Sequence, residues 1–229
     1  MKKLIVCVMA FLCTLPIVAG NDDKVFALTF DDGPNTTTTP RVLDCLEKYN
    51  VVATFFLIGD HIDSTTESVM NRAVSLGCEI GNHSKTHSYM DKMTADQMKY
   101  EIKYTSDAIH RVTGKTPKFF RPPYIAVNDL MYKTIDLPFI CGYNVTDWDP
   151  KVTPEERAQR VVEQAKDGAI VLLHDFDGNF NTVIALDSII PKLKEQGYRF
   201  VTVSQLFKIK HVNPKAHAKI LYSYVGDSK

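Results

Sequence analysis

The chain has 229 residues, enough for one domain or at most two small ones. Its composition, 45% hydrophobic and 24% charged, excludes wholesale disorder and a collagen-like fibre. Lys and Arg (27) balance Asp and Glu (27), so no net charge advertises capture of nucleic acid.

The first segment is unlike the rest. Lys2 and Lys3 precede an apolar run from Leu4 to Ala19, broken by Thr14 and Pro16, and Val18-Ala19-Gly20 makes a small-residue exit. That is the pattern of a cleaved secretory leader over residues 1–20, and so of export to the periplasm, cell envelope or exterior. The run is short for a spanning helix, which needs ~20 apolar residues, so no stable membrane insertion is expected after cleavage. A leader kept as an anchor is the alternative. Cleavage leaves Cys45, Cys78 and Cys141, far apart and without CxxC spacing, which read as small buried side chains rather than a zinc site.

The rest alternates between two periods. Residues 25–30 (VFALTF) read as a strand. Residues 40–49 read as a helix with Val42, Leu43, Leu46 and Tyr49 on one face, Thr39 as N-cap and Pro40 in the first turn. A strand over 52–58, a helix over 65–76 closed by Gly77 and a brief strand at 78–80 follow. Thr94 and Gln97 make a capping box, opening a helix that Gly114 ends; Met98, Ile102, Ile109 and Val112 form its apolar face. Further strands are expected at 118–120, 139–143, 169–173 and 198–203. Helices are expected near 128–135, from Thr153 to Lys166, and over 182–195, where Pro191 argues for a kink or early break. Ser204 is expected to cap a final turn. From Lys208 the rhythm fades, so the reading is a domain over 21–207 and a solvated tail over 208–229. About seven β/α units with continuous apolar strands imply a parallel sheet covered by helices, closing into a barrel or left as an open doubly wound sheet.

Polar residues break this pattern at one end. TFDDGP (29–34), GNHSKTH (81–87), RPPY (121–124), TDWD (146–149) and LLHD (172–175) each follow a strand, and carboxyl ends of strands are where α/β active sites are built. Singly each has an ordinary explanation: Asp31–Pro34 as a turn, Arg121 as a surface arginine, Trp148 and His174 as core residues. Together they describe one cleft. Adjacent carboxylates at Asp31 and Asp32 call for a neutralising cation or arginine. His83 and His87, four apart, fall on one side of a helical turn. One carboxylate and two imidazoles make a three-ligand centre for one divalent metal, zinc first, with cobalt, iron or nickel the alternatives. Arg121 is held by Pro122-Pro123, and Trp148 amid acids suits a sugar groove. The set is the inventory of metal-assisted hydrolysis.

In their order these motifs resemble the polysaccharide deacetylase family, the NodB-homology domain of carbohydrate esterase family 4, over roughly residues 24–207. The resemblance implies a distorted (β/α)7-type barrel with its active site at the carboxyl ends of the strands. It implies Asp31 as general base oriented by Arg121, and Asp32, His83 and His87 as metal ligands. It also implies that Tyr124 offers its backbone N–H to the oxyanion, that Asp147 pairs with the general acid His174, and that Leu172 and Trp148 line the acyl pocket and groove. Ile125 departs from the family pattern where glycine is common, and Asn144 stands near where a further acid is common.

The activity so implied is metal-dependent removal of N-acetyl groups from an N-acetylglucosamine-containing glycan, such as peptidoglycan or a chitooligosaccharide. An O-acetyl xylan esterase with the same machinery is the alternative, and an inactive carbohydrate-binding relative is a third reading. The expected partner is an acetylated carbohydrate polymer or oligomer, met by a monomer.

Overall fold

Strand β1 (Lys24–Asp31) is the hub of the sheet. In the computed structural model, which describes residues 24–226, it pairs in parallel with β2 (Thr54–Leu57) and with β6 (Ala169–His174). At its start it also pairs with β7 (Tyr198–Phe200). The expected leader over 1–20 lies outside the described residues. Strand β3 (Glu79–Asn82) extends the sheet beyond β2, and β5 (Tyr143–Asn144) extends it beyond β6. The gap between these edges is bridged by Phe120, which pairs with Asn82 and Phe139, and by β4 (Phe139–Ile140) and β8 (Leu221–Tyr222). The amides of Ile170 and Val225 then donate to the carbonyls of Ser223 and Gly168, bringing the chain's end back to β6. The architecture is α/β: a distorted barrel of mostly parallel strands inside a shell of helices.

Alternation along the strands sets what faces inward. Val25 and Ala27 of β1 join an interior cluster with Phe56, Ile140 and Ile170, whereas Phe26, Leu28 and Phe30 join the cluster under the helices. That outer cluster takes Leu43 and Leu46 from α1 (Thr38–Lys48), Met70 from α2 (Glu67–Ser75), Val161 from α5 (Pro154–Glu163) and Leu186 from α6 (Phe180–Glu195). A third cluster joins Met98 of α3 (Ala95–Thr113), Met131 of α4 (Asp129–Thr134) and Phe139. The last helix, α7 (Val203–Ile209), gives Val203, Leu206 and Phe207 to the interior cluster.

The expected capping boxes form at Thr94–Gln97 and Thr153–Glu156, and Gly114 ends α3 in the left-handed region (φ 67). Elsewhere the chain differs from its pattern. Helix α1 starts at Thr38, and Asn35 Oδ1 rather than Thr39 accepts the amides of residues 37–39. Residues 118–120 give one bridging residue, not a strand. The expected strand at 139–143 is two, broken at Cys141-Gly142, where Gly142 has φ 101. Helix α6 runs through Pro191 to Glu195 without ending there. The last cap is Thr202, with Gln205 as its capping-box partner, rather than Ser204. Residues beyond 208 are not a solvated appendage throughout: β8 pairs with β4, and Val225 is buried in the interior cluster.

Gly81 shows how tightly β3 meets the interior. A Cβ there would lie 2.5 Å from two ring atoms of Phe56, which is fully buried. Gly81→Ala is therefore expected to cost about 1–3 kcal/mol through overpacking, seen as a lower urea midpoint with an unchanged slope.

Candidate active site

The register of β1 against β6 places Asp31 directly beside His174, both at the strands' carboxyl ends. Asp31 is buried, and Arg121 donates to it from Nη1 at 2.5 Å. The guanidinium is fully buried and lies over the Phe56 ring at 4.2 Å. Gly142 makes room for it: a Cβ at that position would lie 3.2 Å from Arg121 Nη2. The arginine thus fixes one oxygen of Asp31 and leaves the other facing the cleft.

Asp32 turns out of the strand in the left-handed region (φ 75), which swings its side chain away from that of Asp31. Its Oδ1 lies 3.4 Å from His83 Nε2 and 3.3 Å from His87 Nε2, too far for good hydrogen bonds to either. One donor atom from each of the three residues falls within 4.8 Å of the others, and Asp32 Oδ1 is buried without a hydrogen-bond partner. Both observations fit a divalent ion held between them. His83 Nδ1 donates to the Arg121 carbonyl at 2.7 Å, which leaves Nε2 as the lone-pair nitrogen aimed at the centre. Burial opposes ionisation of Asp32, but the close imidazole of His83, with the other histidines, holds its carboxyl well below the usual range. Burial and the charge of His83 press His87 down to about 4, which keeps that imidazole neutral and able to ligate.

The two histidines do not lie on a helical turn. Strand β3 ends at Asn82, and residues 83–89 form a loop in which Ser84 (φ 68) and His87 (φ 56) are left-handed. The loop gets its shape from groups the sequence did not flag. Buried Glu101, on α3, accepts the amides of Lys85 (2.8 Å) and Thr86 (2.9 Å). Asn82 accepts the amide of Ser84 and donates to Ile102 O and Ser106 on α3, and Ser84 Oγ accepts the amide of His87. A glutamate within a helix has no sequence signal for this role, because its partners are backbone amides 15 and 16 residues away.

Asp147 is fully buried and holds His174 twice, accepting Nδ1–H at 2.7 Å and the backbone amide at 2.8 Å. Thr182 also donates to it at 2.8 Å. Burial disfavours a charged His174, but the Asp147 hydrogen bond and charge, with Asp31 and Asp32 beyond, outweigh burial and raise its pKa to about 9. Asp175 directly follows His174 and closes the LLHD motif. It is buried under the Asp31–Pro34 turn: it takes the Thr39 hydroxyl at 2.5 Å, and a Cβ on Gly33 would lie 2.7 Å from its Oδ2. Burial pushes its carboxyl up to about 7, against the Thr39 hydrogen bond and with the Asp32 and Asp31 charges adding.

Asp31, Asp32, His83, His87, Tyr124, Ile125, Asn144, Trp148, Leu172 and His174 line one cleft of about 480 Å³. Arg121 and Asp147 lie behind its wall. All ten residues singled out by motif are therefore at one place. Leu172 is buried at the cleft floor, whereas Tyr124 and Trp148 stand half exposed at its rim. Tyr124 (φ 57) and Ile125 (φ 56) are both left-handed, a conformation that favours glycine and is unusual for a β-branched residue.

These features define a class: a parallel α/β barrel with a carboxylate–two-histidine centre between an arginine-held carboxylate and an aspartate-held histidine. The family model for polysaccharide deacetylase matches residues 19–137, and the chain belongs to that family. It is 54% identical over 199 residues to a bifunctional xylanase/deacetylase of Pseudobutyrivibrio xylanivorans. That alignment covers 87% of this chain and 33% of the relative, so the chain spans about a third of that protein's length. It is 40% identical over 201 residues to a peptidoglycan-N-acetylglucosamine deacetylase of Bacillus cereus, covering 83% of this chain and 92% of that one. A solved family 4 acetyl xylan esterase from Clostridium thermocellum, in complex with a cobalt ion, matches with TM-score 0.86 at 44% identity over 88% of this chain and 99% of that one. Fold and family are as the motifs implied.

The geometry separates the two adjacent aspartates. His83→Ala and Asp32→Ala are expected to purify with bound metal reduced at least tenfold, whereas Asp31→Asn retains it, because Asp31 is tied to Arg121. Elemental analysis decides this. A metal-free Asp31→Asn would place Asp31 among the ligands.

Proposed function

We propose that this chain is a metal-dependent hydrolase that removes acetyl groups from a glycan, with N-acetylglucosamine units as the substrate. One observation carries this reading: Asp31 and His174 flank the Asp32–His83–His87 centre within a single cleft. Asp32, His83 and His87 would hold a zinc ion, which would supply Lewis-acid polarisation of the acetyl carbonyl and a lower pKa for water at the site. The chain's own groups do the rest. Asp31, with one oxygen fixed by Arg121, takes a proton from the attacking water through the other. The Tyr124 backbone N–H donates to the oxyanion that develops on the former carbonyl; such a contact is worth ~3–4 kcal/mol. His174, anchored at Nδ1 by Asp147, delivers a proton from Nε2 to the leaving nitrogen, since an amide anion is too basic to leave unaided. Leu172 at the floor and Trp148 at the rim contact the acetyl methyl and the sugar.

A second reading, O-acetyl xylan esterase, uses the same groups on an easier bond, and the likeness to the xylanase/deacetylase and to the acetyl xylan esterase favours it. Acetate release from chitooligosaccharide, peptidoglycan and acetylxylan, with added zinc or cobalt, decides between them. Release from none would overturn both readings.

His174 is protonated below its raised pKa and loses its proton as pH rises through it, so activity is expected to fall on the alkaline side. A bound cation draws that limb below 9, and Asp147→Asn draws it lower by about one unit or more. His174→Ala should slow acetamide hydrolysis by about 10²–10⁴-fold and hydrolysis of an activated aryl acetate far less, because a good leaving group needs little protonation. Equal losses on both substrates would return His174 to an orienting role.

The pattern of residues 1–20 supports export with cleavage near Gly20. Exported protein is expected to begin near residue 21 by N-terminal sequencing; an intact Met1 in a membrane fraction would favour an anchor.

A further inference from the structure

The catalytic cleft accounts for Tyr124 and Trp148 but not for the ring next to them. Tyr89 follows the His83–His87 loop and does not line the cleft. Its ring is stacked on that of Tyr124, centroids 4.0 Å apart and planes 16° from parallel. Tyr124 in turn meets His87 at 4.6 Å, 62° from parallel. The three rings form a file that starts at a metal-ligating residue and runs outward over the rim.

Two features set this file apart from a casual surface contact. The first is exposure: Tyr89 keeps 52% of its surface although one face lies on Tyr124, so its other face is open to solvent. Two large half-exposed aromatic rings side by side leave apolar area that a folded chain ordinarily covers. The second is rigidity. Tyr89 is followed at once by fully buried Met90, and its carbonyl accepts the amide of Lys92 in a short turn. Tyr124 is fixed by Pro122-Pro123 and by the hydrogen bonds of Ile125 and Ala126 to their carbonyls. Neither backbone needs to be ordered on binding, which removes part of the entropy cost of association.

We propose that Tyr89, backed by Tyr124, is a binding platform for the pyranose next to the reacting sugar on a glycan chain. The proposal rests on the reading of the cleft as a deacetylase site. A sugar whose acetyl group reaches the metal centre fills the space between Tyr124 and Trp148, and a polymer must leave that space over the rim. The axial C–H groups of a β-linked pyranose present an apolar face that matches an open aromatic ring, and the phenolic O–H can meet ring hydroxyls at its edge. Tyr89 therefore selects for chain length rather than for the acetyl group.

The test compares wild type, Tyr89→Ala and Tyr89→Phe. Binding is measured calorimetrically on metal-free protein, with chitotetraose and xylotetraose each set against its monosaccharide. Acetate release is measured on the zinc-loaded enzyme with the acetylated tetramer and with an aryl acetate. Thermal melting confirms that each variant is folded. The expected result is roughly tenfold weaker tetramer binding by Tyr89→Ala, the size of ~1.4 kcal/mol, with Tyr89→Phe close to wild type. In turnover the loss should appear in KM for the tetramer, with kcat nearly kept and a much smaller change on the aryl acetate. Equal tetramer affinity in Tyr89→Ala and wild type, or no tetramer binding by wild type, overturns the platform. Tetramer binding that depends on Tyr89, without acetate release from any substrate, upholds the platform and overturns the catalytic reading.

Discussion

Four carboxylates crowd one end of this barrel, and their repulsion is the constraint that the site's construction answers. Asp31, Asp147 and Asp175 are buried and Asp32 is nearly so, all within reach of one cleft. Ionised side by side in a low-dielectric interior, they would oppose folding unless each found a counter-charge or a proton. Each finds a different answer. Arg121 neutralises Asp31, and His174 pairs with Asp147. Asp175 pairs with no cation among the described residues and is pushed toward its protonated form, in which it sits against the Gly33 backbone. That leaves Asp32, with two imidazoles and an orphaned oxygen, as the place where a cation completes the balance. The metal centre is what remains once the other charges are settled.

The backbone bears a related strain. Five of the ten non-glycine residues with positive φ among the described residues belong to the site motifs (Asp32, Ser84, His87, Tyr124 and Thr146), and a sixth, Ile125, follows RPPY and lines the cleft. Each such residue costs of order 1–3 kcal/mol and persists only where the surroundings over-determine it. The surroundings here can be named. Glu101 and Asn82 tie the histidine loop to α3, and the two prolines with their carbonyl acceptors fix the Tyr124–Ile125 turn. Strain and support together place short polar side chains at angles that a regular strand or helix does not offer. This is why the His83–His87 spacing, which on paper suggests a helix, belongs to a loop.

The sequence carried the chemistry better than the scaffolding. Alternating strands with amphipathic helices, and polar motifs at strand ends, were legible because apolar periodicity and register are local properties. Asp31 and His174 are neighbours through ordinary parallel pairing of two such strands. What was not legible depends on distant partners. Glu101 reads as one more charged residue of a helix, yet its acceptors serve a loop elsewhere in the fold. Asn35, not Thr39, accepts the first amides of α1: the helix begins at Thr38, so Thr39 lies inside it and its hydroxyl turns to Asp175 just after β6. The segment after Lys208 lacks the periodicity of a strand, since only Leu221 and Tyr222 pair along β4; yet it brings Val225 into the interior. Pro191 remains inside α6, where tertiary packing of Ile189, Ile190 and Leu193 overrides the missing amide.

The same contrast divides the site itself. The side chains proposed to handle protons and metal come from strand ends or are buried and held by two or more partners, as with Asp147 and His83. Reaction class constrains their identity, so they stand in recognisable motifs, and the geometry gathers those motifs at one cleft. The side chains proposed to meet the sugar are exposed instead: Tyr89, Tyr124 and Trp148 each keep about half their surface, and Asn144 is exposed as well. On this proposal the fold fixes what is done to an acetyl group, and the rim chooses the polymer on which it is done.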